Sequence, residues 1–167
     1  MSEKPLTYLD VGRLYPVCCA TDLSAQVKDQ ILEEAQDGMG VDHYLVFVDS
    51  LTKQYAEVSD HGYNEPSDSA SPFKGKTPEE CAALLQQLRR NGADINFQHF
   101  AVVDERSLQD ETLWLVKAPA PEEGTGFHLR AVYKLTCAAL MNWHLQAGSE
   151  WSLEEVQSSE DGVLRRL

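Results

Sequence analysis

The sequence predicts a layered α/β fold: a mixed, centrally parallel sheet of about five or six strands with helices packed on its faces. Three observations carry this. "HYLVFVD" (43–49) is apolar without alternation, as in a strand covered on both sides. Strand-like runs alternate with helical patterns along the chain, the pattern of a layered sheet. "TPEECAALLQQLRRNG" (77–92) joins a Thr-x-x-Glu capping box to an apolar stripe and a terminal Asn-Gly, which reads as a helix.

The elements follow in order. Residues 1–14 have little periodicity and read as an N-terminal arm to a single domain over 15–156. "YPVCCA" (15–20) reads as a short buried strand. Thr21, Asp22 and Ser24 offer caps for a helix to about Gln36, with Val27, Ile31, Leu32 and Ala35 as its apolar stripe. "DGMG" (37–40) is expected to end it, with Gly38 as a left-handed cap. After the strand at 43–49, "QYAEV" (54–58) alternates and is expected to hairpin back. Residues 59–76 are rich in Ser, Pro and Asp and predict a long loop or insertion, holding His61, Tyr63 and Phe73.

The helix opening at Thr77 takes Pro78 at its first position. Cys81, Leu84, Leu85 and Leu88 form its stripe, and Arg89 and Arg90 favour its end. "FQHFAVVD" (97–104) is a strand, "ERSLQDE" a polar connection, "TLWLVKA" (112–118) and "FHLRAVY" (127–133) two more strands. "KLTCAALMNWHLQA" (134–147) is apolar nearly all round and predicts a central helix. Trp114, Trp143 and Trp151 are expected in the core. Ser152 and Glu155 form a second capping box, and 157–167 reads as a flexible, frayed tail.

Composition narrows the function classes. The charge is 14 basic minus 27 acidic residues, −13, on 43% apolar and 25% charged residues. Phosphate backbones and anionic lipid would repel such a chain, so neither nucleic acid nor a membrane is an expected partner. No apolar run reaches a membrane span and no secretory signal is apparent, which points to a cytoplasmic protein. The four cysteines are read as buried free thiols, with no C-x-x-C pair to hold zinc.

"YPVCCATDL", "YAEVSD", "FKGKTPEE", "FAVVDERSL", "LWLV" and "LMNWHLQAGSEWSLEEV" occur in this order. In that order they resemble a small family of uncharacterised actinobacterial and fungal proteins carrying a domain of unknown function. The resemblance covers about residues 15–156, with an insertion near 64–72. It implies an α/β fold and no established activity or cofactor; Lys117 departs from the acidic or neutral strand end that the family presents.

Strand-like runs end at Thr21-Asp22, Val48-Asp49 and Val103-Asp104. Parallel neighbours would bring these carboxylates to one sheet edge, where open α/β sheets bind ligands. There they could hold Mg²⁺ with Lys117 as a cation, in a phosphoacceptor layout. Caps and turns are the favoured reading of the same residues. A Cys-His pair of Cys18 or Cys19 with His99, oriented by Asp22 or Asp104, is an enzyme-like arrangement; inert buried cysteines are the plainer one. His128 and Arg130 share a strand face and could grip an anion or form the solvated face of an edge strand. No glycine-rich nucleotide loop, hydrolase elbow or His-Glu-x-x-His motif occurs. The expectation is a soluble, acidic, intracellular binding or interaction protein, with an unknown protein or small molecule as partner and no cofactor. The alternative is a small cofactor-independent enzyme acting on a metabolite with Asp22, His61 and Asp104 in acid–base roles.

Overall fold

A computed structural model describes residues 14–39, 44–48, 50–51, 55, 71–118, 126–145 and 161–165. Six strands form one mixed sheet: β1 (Tyr15–Cys19), β2 (Leu45–Val48), β3 (His99–Val103), β4 (Thr112–Lys117), β5 (Phe127–Val132) and β6 (Val163–Leu164). Their spatial order is β2-β1-β3-β4-β5-β6. β1 lies parallel to both β2 and β3, while β3-β4 and β4-β5 are antiparallel and β5-β6 is parallel. The layered α/β expectation is met.

Alternation along the strands divides the core in two. Tyr15, Val17 and Cys19 of β1 point to one face with Ala101, Val103, Leu113, Leu115, Leu129 and Ala131. That face is covered by α1 (Ala25–Met39) through Ile31, Leu32 and Ala35. It is also covered by α4 (Thr136–Leu145) through Cys137, Leu140 and Trp143. Cys18, Val46, Val48, Phe100, Val102 and Val116 point to the other face, under α2 (Pro78–Arg90). Each fully buried Leu, Ile or Phe contributes about 1.5–3 kcal/mol.

Pro16 needs a special place, because it has no N–H to give a sheet. The Tyr15 amide donates to Tyr44 on the β2 side, so position 16 faces β3. There the ladder is interrupted: Leu14 bridges Ile95, and regular pairing resumes only at Val17 with Ala101. The three extra residues on the β3 side bulge out. Buried Asn96 satisfies them, its Oδ1 accepting the Gln98 and His99 amides at 2.9 Å each. The missing donor thus lies opposite a gap rather than in a broken ladder.

The capping box of α2 forms as expected. Thr77 Oγ1 accepts the Glu80 amide at 3.2 Å, and Glu80 accepts the Thr77 amide at 3.1 Å. Such a cap is worth about 1 kcal/mol. Four details differ from the expectations. The "ERSLQDE" connection contains a single helical turn, α3 (Ser107–Asp110). The central helix begins as a tight three-residue turn at Tyr133–Leu135 before α4. Residues 163–164, expected in a frayed tail, are buried as β6 because β5 still has a free edge to pair. Gly38 does not end α1 with a left-handed cap; α1 continues through it to Met39. The expected hairpin strand at 54–58, apart from Tyr55, and the capping box at Ser152 lie outside the described residues.

Gly38 is required for a different reason. A Cβ there would sit 2.0 Å from the carbonyl oxygen of Lys134, in the turn that α1 packs against. Gly→Ala in an open helix usually stabilises by about 1 kcal/mol. Here the sign reverses: Gly38→Ala should destabilise by about 1–3 kcal/mol in urea unfolding, because backbone must shift to admit the methyl group.

Candidate functional site

The parallel strands β2, β1 and β3 end together, so their carboxyl ends share one edge. Cys19 pairs with Val103, and the Ala20 amide donates to Val103 O at 2.8 Å. Asp22 and Asp104 both follow onto that edge. Asp49 and His61 lie outside the described residues.

Asp104 is the centre of a polar cluster. Arg130 of β5 reaches it across β4, with Nη1 donating to Oδ2 at 2.8 Å and Nη2 to Oδ1 at 2.6 Å. Two parallel bonds of this kind fix both planes. Trp114 Nε1 donates to Oδ2 at 3.1 Å, and the Ser107 hydroxyl and amide donate to Oδ1 at 3.2 Å. Arg130 also donates from Nε to Thr112 Oγ1 at 3.0 Å and lies 4.8 Å from the centre of the Trp114 ring. The Thr112 hydroxyl donates in turn to Asp110 Oδ1 at 2.6 Å, and Tyr133 closes the far side by donating to Ser107 O at 2.9 Å. His128 stands edge-on to Trp114, with ring centres 4.8 Å apart, and is exposed.

The register explains why these residues meet. Trp114 pairs with Arg130 and Val116 with His128, so all four lie on the same sheet face. Arg130 is only 2% exposed. It is therefore neither an anion grip nor part of a solvated edge face: its charge is consumed by Asp104, and β6 occupies the next sheet position. Trp114 is half-buried rather than core, with its indole N–H committed to the carboxylate.

Burial alone would raise the pKa of Asp104. The hydrogen bonds and charge of Arg130, helped by Ser107, outweigh it and hold the carboxyl below the ordinary range. At the other end of the edge, Asp22 Oδ2 accepts from Lys74 Nζ at 2.9 Å, with the two side chains 73% and 52% exposed. Such a pair is worth at most about 1 kcal/mol.

Two expected constellations do not assemble. The phosphoacceptor layout fails at Lys117, which pairs with His99 at the start of β3 and so lies on the opposite edge. β4 runs antiparallel, and its end cannot join the ends of β1 and β3. Among the described residues no group of three His, Cys, Asp or Glu is placed to hold a metal. The Cys-His pair fails because Cys18 points to the other face from His99. Cys19 shares His99's face but aligns with Val103, four residues farther along, or about 13 Å. Burial, followed by the bond and charge of Cys81 and the charge of Cys19, pushes the Cys18 thiol well up. The Cys137 thiol is raised by burial against a smaller opposing bond from the Tyr44 backbone.

Sequence reasoning singled out Asp104 and Arg130 but not their pairing, and it missed Ser107 and Trp114 as further partners of Asp104 and Thr112 as a partner of Arg130. The available signal was the alternation of "TLWLV" and "HLRAV", which puts Thr112, Trp114, His128 and Arg130 on one face once the two strands are paired.

Comparison with protein-family models, curated proteins and solved structures finds no match. Among the described residues no helix is long and apolar enough to cross a membrane.

Removing one partner of a buried ion pair leaves the other uncompensated and costs about 3–5 kcal/mol. Asp104→Ala should lose stability on this scale in urea unfolding at pH 7. The pH dependence has a definite sign. A carboxyl with a lowered folded pKa stabilises above its unfolded pKa of about 3.9, and this is lost as pH falls through the folded value. The stability gap between wild type and Asp104→Asn should therefore close as pH drops below about 4. Thiol labelling provides a separate check. All four cysteines are buried thiols outside any disulfide, so an aromatic disulfide reagent should react only at the rate of unfolding. Rapid labelling of Cys18 in the native protein would contradict its burial.

Proposed function

We propose that this chain is a soluble, acidic, intracellular binding or interaction module whose contact region is the carboxyl edge of β2, β1 and β3. The observation that carries this reading is the routing of the chain at that edge. β1 hands over to α1 on one face, whereas β2 leads to α2 on the other. Where connections part to opposite faces, they open a crevice outside the strand ends, the usual place for ligands in open sheets.

The chemistry at this edge favours recognition over acid–base turnover. A general base or acid works best with a pKa near the operating pH. Asp104 is driven the other way by Arg130 and is locked by five hydrogen bonds from three residues. Asp22 is tied to Lys74. Around them Glu105, Arg106, Leu108 and Gln109 are exposed on the turn that follows β3. Leu108, at 49%, is one of two large apolar side chains standing in solvent among the described residues. The net charge of −13 suits solubility and a partner of neutral or positive charge.

Photo-crosslinking tests the location. A benzoylphenylalanine probe replacing Asp22 or Leu108 should give discrete adducts in the host cell. The same probe at Asn91, at the opposite end of α2, should not. Equal adducts from all three positions would remove the carboxyl edge as the contact region.

A further inference from the structure

We propose that the segment Ser71–Lys76 is a self-docked pseudo-ligand, its Phe73-Lys74 pair occupying the site that an aromatic–basic pair of a partner polypeptide takes when the segment is displaced. This deepens the binding reading and rests on it.

The segment crosses the end of β1 at the carboxyl edge. Gly75 donates its amide to Ala20 O at 3.2 Å, just beyond the last residue of β1. Phe73 is fully buried in the cluster under α2 that includes Cys18, Val48, Cys81 and Val102. Lys74 reaches out to Asp22. An aromatic ring in the apolar floor and a cation on the rim carboxylate are two of the features a recognition site presents to a ligand.

The way the segment is held makes displacement as a unit possible. Its shape comes from its own bonds: Phe73 N to Ser71 Oγ at 3.2 Å, Lys74 N to Ser71 O at 3.1 Å, and Lys76 N to Phe73 O at 2.9 Å. Gly75 supplies the positive φ of 72° that the turn requires. Its ties to the remaining described residues include the buried Phe73 ring, the Gly75–Ala20 backbone hydrogen bond and two exposed ion pairs that salt screens, Lys74 with Asp22 and Lys76 with Glu80 at 3.9 Å. The capping hydrogen bonds of α2 lie within the helix start, between Thr77 and Glu80, and the segment adds to them only the exposed Lys76–Glu80 pair.

The partner chemistry is copied from the occupant. A ligand that replaces the segment must bring an aromatic side chain for the apolar site and an adjacent Lys or Arg for Asp22. A basic segment is also the kind that a chain of charge −13 attracts at long range.

The test uses the full chain and a fluorescein-labelled Ser-Pro-Phe-Lys-Gly-Lys peptide, the sequence of residues 71–76. Fluorescence anisotropy should show the Phe73→Ala/Lys74→Ala variant binding this peptide at least ~10-fold more tightly than the wild-type chain. A peptide with Ala in place of Phe should not bind. Equal binding to both chains, or none to the variant when it keeps a cooperative urea transition, overturns the proposal. If the double variant does not fold, Lys74→Glu decides, since it leaves Phe73 in place and sets a second acid against Asp22. Hydrogen exchange at the Gly75 amide should then accelerate while α2 amides keep their protection. Exchange of Gly75 only together with α2 overturns it. Should the peptide fail while probes at Asp22 and Leu108 still give adducts, the binding module stands and only the self-docked segment falls.

Discussion

Everything in this fold is arranged around a strand with no free side. β1 has parallel partners on both edges, and all five of its residues are buried. Every side chain therefore needs cover from a helical layer, on one face or the other. α1 and α4 supply one layer and α2 the other, and the connections out of β1 and β2 must part to opposite faces. The parting of connections at the carboxyl edge is a consequence of that requirement. Even the proline in β1 conforms to it, since its missing donor faces the stretch where Asn96 has replaced the ladder with side-chain bonds.

The second organising interaction joins the halves of the sheet. β1, β2 and β3 are parallel, whereas β4 and β5 return antiparallel. Arg130 spans from β5 past β4 to Asp104 at the end of β3, so one guanidinium ties three consecutive strands. Its bonds to Thr112 leave little of its donor capacity unused, as a cation only 2% exposed requires. This places Asp104 among the supports of the edge. Asp22 instead pairs with the solvent-exposed Lys74 of a segment shaped by its own hydrogen bonds.

Particular elements show how far sequence reasoning reaches. The helix from Pro78 was legible to the residue because Thr77, Pro78, Glu80 and Asn91-Gly92 each act within a few residues of chain. The strands at 15, 45, 99, 112 and 127 were legible because burial on both faces removes the polar alternation, or because alternation marks one buried face. Gly38 was misread for the opposite reason: its neighbour in space, Lys134, is 96 positions away in sequence. β6 was missed because two residues beside a charged tail give no periodic signal; β5 makes them a strand.

By itself the sequence determined the local states of this chain, the two apolar faces of its sheet and the candidate aspartates, since caps, turns and alternation are short-range properties. Only the tertiary structure decided which partners those aspartates have. Asp104 meets Arg130 through the register of two hairpinned strands, and Asp22 meets Lys74 through a segment 52 residues distant. Lys117 was sent to the far edge by strand direction alone. Pairing register and strand direction are set by packing across the whole sheet, and no short stretch of sequence contains them.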